Sequence, residues 1–314
     1  MSKMKLNIVI IGATGYTGLD LIYYLSKHPK ANILSLCATK NLGKKINLFD
    51  KRIKKRLPKI SSVNKINWEN VDLAFLSLPN GEAQKIIKKI YNKYEKVKFI
   101  DLSADFRIKN IKKYELNYNS KHKAKELIKD SIYSISEFVK KDINKFRIVA
   151  NPGCYPTSVQ IPLIPLIKKK LIKLNNVIID SKSGFSGAGK NLKDKFPHKN
   201  LFSSIYAYGI QNHRHIIEIE QELKKCTNKK IKFSFNPYLL PTFRGILTSI
   251  YIDLKKSSSP KKLRDTLTKF YKNDKFIKIL KLNSKIGSGN VLNTNNCEIS
   301  VCDTKIGKKV VIFS

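Results

Sequence analysis

One cysteine stands in a segment that interrupts regular structure. The segment ANPGCYPT sets Cys154 between a Pro-Gly pair and a Tyr-Pro pair, directly after a short apolar run. Proline and glycine force a turn here, and Pro156 is tolerated in the first turn of a helix because no N–H is needed there. We therefore predict that the Cys154 thiol lies at or near a helix N-terminus.

A thiol in that position can act as a nucleophile. The N–H groups and the dipole at a helix N-terminus stabilise a thiolate and so lower the pKa of a cysteine. The same N–H groups can hold the oxyanion that forms when sulfur attacks a carbonyl carbon. The sequence thus indicates Cys154 as a catalytic residue, with a structural cysteine at a helix start as the alternative.

A thiolate nucleophile works with a proton-transfer partner. Among the five histidines, His213 and His215 occur together in HRHIIEIEQEL, which is predicted to be helical. Glu218 lies on the same face of that helix as His215 and can therefore orient its ring. Helix capping is the alternative role of the pair. The remaining histidines stand alone and are predicted to be surface residues: His28, His122 and His198.

A glycine-rich turn predicts a dinucleotide site. The segment IGATGYTG, with the spacing G-x-x-G-x-x-G, follows the first predicted strand and opens a helix. Backbone N–H groups of such a turn can approach a pyrophosphate, although a tight turn without a ligand is the alternative. Thr39 and Lys40 stand at the end of the second predicted strand, where a carboxylate would select NAD, so NADP is the predicted cofactor. The residues expected to contact it in the turn are Gly12, Thr14, Gly15, Tyr16, Thr17 and Gly18.

Two arginines and a polar loop are candidate anion sites. Arg107 in DLSADFR and Arg244 in PTFRG stand at strand ends, where a guanidinium group can bind a carboxylate or phosphate. A structural ion pair is the alternative for each. The loop SGFSGAGK, which contains Ser183, Gly184 and Gly187, is predicted to bind the cofactor as a mobile anion-binding loop. Plain flexibility is its alternative.

The elements that must position these residues fall into two groups. In the first half, short apolar runs alternate with helices, which predicts an α/β, Rossmann-like parallel sheet covered on both faces. After Cys154 long strands follow one another without crossover helices, which predicts an α+β domain with a mixed or antiparallel sheet. We place an NADP-binding domain at 1–150 and a catalytic and oligomerisation domain at 151–314. The strands predicted in the first half are Lys5–Ile11, Ala31–Thr39, Val71–Pro79, Lys98–Ser103 and Phe146–Ala150.

Composition limits the partners. The net charge of +39 suggests nucleic acid, but lysines are spread along the whole chain, so a nucleic-acid binder is only an alternative. The densest cluster, KRIKKRLPK from Lys51, can hold an anion. No apolar run approaches the roughly 18 residues of a membrane span, and the N-terminal run is interpreted as a strand rather than a signal peptide. We expect a cytoplasmic protein without a membrane partner.

The cysteines argue against a disulfide framework or a metal site. The chain has five, an odd number, with no C-x-x-C pair and no histidine at metal-ligand spacing. Three or four of them are expected to be buried, inert thiols.

Several segments together carry a resemblance over nearly the full length. In order, they are GATGYTG, SLPNGEA, DLSADFR, ANPGCYPT, SGFSGAG, HRHIIEIEQEL and PTFRGIL. With them the chain resembles the N-acetyl-γ-glutamyl-phosphate reductases, the arginine-biosynthesis family of the semialdehyde dehydrogenase group. The pair NPGCYPT and HRH..EI is more specific than the glycine turn.

The resemblance implies a mechanism and the roles of several residues. Cys154 would attack an acyl phosphate to form a thioester, which NADPH would reduce to N-acetyl-glutamate 5-semialdehyde. His215 is implied as the acid–base residue and His213 as a neighbour of substrate or cofactor, while Arg107 or Arg244 would bind the substrate. Homo-oligomers, dimers or tetramers, are also implied.

The sequence departs from the family pattern at three places. Asn80 replaces the histidine of LPHG, and Tyr133–Glu137 keeps only the ends of a YG-L-P-E segment. Where the family continues past VVIFS with a glycine-rich segment, this sequence ends at Ser314. We expect that loss to expose apolar sheet surface and to remove part of the cofactor site. Two further alternatives therefore stay open: a catalytically impaired remnant, and a reductase of another acyl phosphate such as aspartyl phosphate.

Overall fold

A computed structural model describes residues 5–190 and 199–314. The contacts of the chain divide it into two compact units, Met1–Pro152 and Gly153–Ser314, whereas the sequence placed a boundary after residue 150. His198, which we expected at the surface, lies outside the described residues.

The first unit contains a parallel sheet, as predicted, but the sheet has seven strands where the sequence predicted five. Its strand order is β3-β2-β1-β4-β5-β7-β6, so the first five strands follow the order of a doubly wound dinucleotide-binding fold. The strands are β1 Leu6–Ile11, β2 Ala31–Cys37, β3 Ile60–Ser61, β4 Leu73–Leu76, β5 Lys98–Asp101, β6 Ser131–Tyr133 and β7 Ile148–Ala150. The helices are α1 Tyr16–Lys27, α2 Glu82–Tyr91, α3 Ile111–Tyr118 and α4 Ser136–Val139.

Strand β1 ends in four consecutive apolar residues, at positions 8–11, and all four are buried. Ile8 and Ile10 belong to one hydrophobic cluster, while Val9 and Ile11 belong to another. Because successive side chains of a strand point to opposite faces, both faces of this strand are buried. The α/β class predicted for the first half of the chain is therefore confirmed.

The second unit contains a mixed seven-stranded sheet of order β12-β13-β14-β11-β8-β10-β9. Strands β8 and β10 are parallel, while β11 is antiparallel to both β8 and β14. The strands are β8 Val177–Gly184, β9 Tyr206–Ala207, β10 Phe233–Leu240, β11 Ile246–Asp253, β12 Ile277–Ile279, β13 Cys297–Asp303 and β14 Lys309–Phe313. The prediction of an α+β domain with a mixed sheet is confirmed.

Three helices accompany this sheet in the described part of the second unit. They are α5 Cys154–Lys168, α6 Ile216–Lys224 and α7 Pro260–Phe270. Helix α5 is buried along almost its whole length and holds two internal prolines, Pro162 and Pro165. The Tyr271 hydroxyl, just after α7, donates to the Ile161 carbonyl at 2.6 Å and so ties α7 to the middle of α5.

The described residues contain no helix long and apolar enough to cross a membrane.

None of the five cysteines forms a disulfide, but the expectation of three or four buried thiols is wrong. Cys37 is buried and Cys154 is exposed to solvent. The other three thiols, Cys226, Cys297 and Cys302, are intermediate in solvent exposure, and they lie near strand or helix ends.

The turn between β1 and α1 needs glycine at two of its three glycine positions. Gly12 has a φ of +90°, and a Cβ atom there would overlap the Ser77 carbonyl. A Cβ atom on Gly18 would overlap the Gly12 carbonyl, so a bare Cα lets α1 start directly against the turn. A Cβ atom on Gly15 would have its nearest neighbour, the Gly12 oxygen, at 3.6 Å, which is an ordinary contact.

This difference predicts the cost of two matched substitutions. We expect Gly18→Ala to lower the free energy of unfolding of the first unit by about 2–3 kcal/mol, because overpacking against rigid backbone must displace the helix. Gly15→Ala should cost less than about 1 kcal/mol. Urea unfolding followed by the fluorescence of Trp68, the single tryptophan and a buried residue of this unit, measures both changes. Equal losses in the two variants would contradict the packing argument.

Candidate active site

Cys154 is the first residue of helix α5. Gly153 precedes it as the N-cap, with an extended backbone at φ −65° and ψ 154°. The prediction that the thiol lies at a helix N-terminus is confirmed, and the Cys154 residue is exposed. Pro156 stands in the first turn, where its missing N–H is tolerated. Cys154 is therefore accessible to a reagent at the positive end of a helix dipole.

Two side chains contact Gly153, the residue before the nucleophile candidate. The Gly153 N–H donates to Glu218 Oε1 at 2.6 Å, and Glu218 is fully buried. The His215 ring lies against the α-carbon of Gly153, since a Cβ atom there would be 2.5 Å from His215 Nε2. Helix α6 begins at Ile216 with His215 as its N-cap, so the helix expected to include both histidines starts later than predicted. The expected orientation of the His215 ring by Glu218 stays a prediction.

His213 lies in an aromatic cluster. Its ring packs edge-on against Tyr155, Tyr208 and Phe235, with centroid distances of 5.4–5.6 Å. His213 Nδ1 accepts a hydrogen bond from the His215 N–H at 3.1 Å, so a neutral ring carries its proton on Nε2. Burial, reinforced by the positive charge of Arg214, lowers the pKa of His213 to about 4.

Tyr155 anchors the start of α5 to the sheet. It is buried, and its hydroxyl donates to Ser183 Oγ at 2.7 Å while lying 3.1 Å from the Tyr208 hydroxyl. Burial raises the pKa of Tyr155, so the hydroxyl stays protonated as a donor. The residue after Cys154 is thus fixed to β8, where Ser183 lies.

A cavity of about 390 Å³ opens beside Cys154. Its wall collects five of the residues that the sequence singled out: Cys154, Ser183, Gly184, Gly187 and Arg244. Residues from the segment 286–298 also line the cavity, among them Ser288, Asn293 and Thr294. The second unit therefore brings the predicted nucleophile, the predicted anion-binding loop and one predicted arginine to a single cavity.

Backbone contacts hold the start of the predicted anion-binding loop against the segment that carries Arg244. A Cβ atom on Gly184 would lie 2.7 Å from the Arg244 nitrogen, and the Gly184 N–H donates to the Gly245 carbonyl at 2.9 Å. The chain then forms a short 3₁₀ turn at Phe185–Ala188. Gly184 thus allows the backbone that carries Arg244 to approach β8, which puts that half-buried arginine on the cavity wall.

The first unit carries the residues predicted to hold a cofactor. Gly15 is the N-cap of α1, and Thr14 and Tyr16 beside it are half-buried, while Thr17 is exposed. Thr39 and Lys40 follow the end of β2 at Cys37 and are both exposed. Strand β2 therefore ends two residues earlier than predicted. The cofactor role of these residues stays a prediction.

Arg107, a predicted substrate residue, is bound to backbone within the first unit. It is 7% exposed, and its guanidinium donates to the carbonyls of Asn151 at 2.7 Å and Leu102 at 3.0 Å. These contacts are hydrogen bonds to backbone carbonyls, whereas the alternative considered for this residue was an ion pair. Its substrate role stays a prediction, and Arg244 is the arginine that lines the cavity beside Cys154.

A buried polar network in the first unit was missed from the sequence. Asp105 accepts hydrogen bonds from the N–H groups of Gly81 and Gln84 at the start of α2, and from the Tyr114 hydroxyl at 3.0 Å. It therefore caps a helix that is distant in sequence. Nearby, burial and then the Asp105 charge raise the pKa of Asp101 to about 6. The run of polar residues in DLSADFR was the available signal.

The expected surface position of His122 is wrong. It is 6% exposed, with Nε2 2.8 Å from the Asp105 carbonyl and Nδ1 accepting from the Ala124 N–H at 3.1 Å. Burial lowers its pKa. Both ring nitrogens are used by backbone groups, so His122 is a structural histidine. His28 is exposed, as expected.

Among the described residues, no group of three or more histidine, cysteine, aspartate or glutamate side chains is arranged to hold a metal ion.

The two units match two known domain families. Residues 7–146 match the family described as "Semialdehyde dehydrogenase, NAD binding domain", and residues 154–314 match "Semialdehyde dehydrogenase, dimerisation domain". Aspartate semialdehyde dehydrogenase II from Vibrio cholerae has the same fold, with a TM-score of 0.73 at 16% identity over 99% of this chain and 92% of that one. The enzyme from Candida albicans, solved with NADP, gives 0.67 at 17% identity over 99% and 93%. The two domain matches place the chain in the semialdehyde dehydrogenase class, and the solved structures share its fold.

Relatives found by sequence comparison identify one family within this class. N-acetyl-gamma-glutamyl-phosphate reductase from Ehrlichia ruminantium (strain Gardel) is 41% identical over 98% of this chain and 88% of its own length. The probable chloroplastic N-acetyl-gamma-glutamyl-phosphate reductase of Arabidopsis thaliana is 38% identical over 99% of this chain and 77% of its own length. The chain belongs to the N-acetyl-gamma-glutamyl-phosphate reductase family.

The surroundings of His213 predict its titration. Because burial disfavours the charged ring, we expect His213 to stay neutral, with its proton on Nε2, from pH 8 down to about pH 5, and to titrate near 4. An unfolded histidine binds a proton near pH 6.5, so His213 must lower the free energy of unfolding as pH falls from about 6.5 to 4.

Nitrogen-detected NMR of the imidazole rings over this pH range measures the titration, with His213→Asn assigning the signal. A midpoint of His213 between 6 and 7, or a proton on Nδ1, would contradict the structure.

Proposed function

We propose that this chain reduces N-acetyl-γ-glutamyl phosphate to N-acetyl-glutamate 5-semialdehyde with NADPH, through a thioester on Cys154. One observation carries the proposal: the exposed Cys154 starts helix α5 on the wall of a cavity, and His215 packs against the adjacent Gly153. Membership of the reductase family supports the choice of substrate.

The chemistry begins with attack by the Cys154 sulfur on the acyl carbon, which breaks the bond to phosphate. Backbone N–H groups at the start of α5 are suited to stabilise the negative charge that develops on the acyl oxygen. Inorganic phosphate leaves, and the acyl group stays on sulfur as a thioester. Arg244, on the cavity wall, is the side chain we assign to the anionic substrate.

The glycine turn fits a dinucleotide. Gly15, the N-cap of α1, carries no side chain, so a pyrophosphate can approach the backbone N–H groups at this helix N-terminus. Thr39 and Lys40 would meet the adenosine 2′-phosphate of NADP. Thr14, Tyr16 and Thr17 in the turn, and Ser183, Gly184 and Gly187 in the second unit, are the remaining residues we assign to the cofactor. When bound, NADPH supplies the hydride that reduces the thioester carbonyl.

His215 is the residue we assign to proton transfer. It takes the thiol proton as the sulfur attacks, and it later protonates the oxygen that carries charge after reduction. Collapse of the thiohemiacetal releases the aldehyde and returns Cys154 to its starting form. The net reaction consumes an acyl phosphate, NADPH and one proton, and it yields an aldehyde, NADP and phosphate.

We propose further that the enzyme is a cytoplasmic homo-oligomer. The match of residues 154–314 to a family described as a dimerisation domain supports association. Large apolar side chains of this unit are exposed around the edge strand β9, including Phe202, Ile205 and Ile210. Light scattering of the purified protein measures the assembly.

The reaction run in reverse tests the proposed function. Purified protein is mixed with N-acetyl-glutamate 5-semialdehyde, NADP and phosphate, and NADPH absorbance is followed. We expect phosphate-dependent NADPH formation that Cys154→Ser reduces at least about 1000-fold, because the covalent step is lost. Cys226→Ser, at a half-buried thiol beyond the end of α6, is the matched control and should keep full activity.

Aspartate semialdehyde serves as the competing substrate in the same assay. Faster turnover of that aldehyde would replace the proposed substrate. Absence of turnover with either aldehyde in a folded protein, or full activity of Cys154→Ser, would overturn the proposed function.

A further inference from the structure

We propose that Glu218 is a positioning residue that sets Cys154 and His215 relative to each other by accepting the Gly153 N–H. The inference rests on the proposed function, because it assigns Glu218 a part in the same reaction. This role differs from the predicted orientation of the His215 ring by Glu218. Here the carboxylate binds the backbone N–H of Gly153, the residue that precedes Cys154.

The burial of Glu218 is the first observation behind this role. Its side chain is fully buried, and a carboxylate is expensive to remove from water unless strong hydrogen bonds compensate. The Gly153 N–H supplies one at 2.6 Å, a short distance typical of a charge-assisted bond. A buried acid that served packing alone would be replaceable by an apolar residue.

The position of Glu218 in its own helix is the second observation. With His215 as the N-cap of α6, Glu218 is the third helical residue. An acidic side chain at that position commonly folds back to the N-cap of its own helix. Here it reaches the N-cap of α5 instead. One carboxylate thus lies at the positive ends of two helices and stabilises both starts.

The third observation is that His215 touches the same glycine. The His215 ring packs against Gly153 closely enough that a Cβ atom would lie 2.5 Å from Nε2. Gly153 is therefore held by Glu218 at its N–H and by His215 at its α-carbon. Because Cys154 follows directly in the chain, this double contact fixes the start of α5 against the start of α6.

Loss of the contact predicts a defect in rate rather than in substrate binding. A displacement of about 1 Å at reacting groups costs roughly 100-fold in rate. We expect Glu218→Ala to lower kcat roughly 100-fold with KM changed less than about threefold. Glu218→Gln keeps an oxygen that accepts the Gly153 N–H, so we expect it to retain kcat within about threefold of wild type.

Glu222→Ala is the matched control. Glu222 lies one turn further along α6, is 8% exposed and pairs with Lys225 rather than with Gly153. Its loss removes a buried carboxylate from the same helix while leaving the start of α5 untouched. We expect wild-type kcat from this variant, and circular dichroism melts of all variants check that each is folded.

Alkylation of Cys154 by iodoacetamide separates this inference from the proposed function, because it needs no substrate. We expect Glu218→Ala to slow alkylation by up to roughly tenfold, as the thiolate loses its fixed place at the helix N-terminus, while the Gln variant and Glu222→Ala alkylate at the wild-type rate. If this pattern appears in a protein without reductase activity, the positioning role stands and the proposed function fails.

A second pair of glycine variants tests the same contact without altering Glu218. Gly153→Ala should displace the His215 ring and lower kcat by roughly 100-fold. Gly289→Ala, where an added Cβ would meet no heavy atom of the described residues within 4 Å, is the control and should keep wild-type kcat. Wild-type kcat in folded Glu218→Ala, or equal loss in the Gln and Ala variants, would overturn the proposal.

Discussion

The contact of Gly153 with the start of helix α6 is the constraint on which the site depends. Glu218 accepts its N–H and His215 packs on its α-carbon, so a side chain on this residue has no space. The glycine in NPGCYPT is thereby explained by close approach rather than by a left-handed backbone, since its φ is −65°. A nucleophile and its proton-transfer candidate come from segments some 60 residues apart in the chain, and this one residue joins them.

The remainder of the second unit holds that junction in place. Tyr155 fixes the beginning of α5 to β8 through Ser183, and buried hydroxyl groups of Ser158, Thr248 and Ser181 continue the connection into the sheet. The His215 N–H is held by a His213 ring that burial keeps neutral. These contacts restrain Tyr155 and Ser158 near the start of α5 and the N–H group of His215, so the sheet helps to fix the geometry at which the thiol is presented.

The sequence predicted the position of Cys154 better than it predicted the contacts that support it. Cys154 was found because proline and glycine around it force a helix to begin, which is a local effect. The parallel sheet was predicted from short apolar runs, such as the one that ends strand β1 at Ile11. The contact between Glu218 and Gly153 could not be foreseen, since it depends on how two helices pack. The same limit explains His122, an isolated histidine in the sequence whose burial is set by Asp105 and Ala124.

The proposed mechanism requires that Cys154 carries the acyl group as a thioester. The direct measurement is a single incubation with N-acetyl-γ-glutamyl phosphate in the absence of cofactor, followed by an acid quench, a phosphate assay and peptide mass spectrometry. We expect one phosphate to be released per active chain. The peptide that contains Cys154 should carry the mass of the acyl group, and hydroxylamine should remove that group. Turnover with NADPH by a protein that never shows an acyl group on Cys154 would contradict this mechanism.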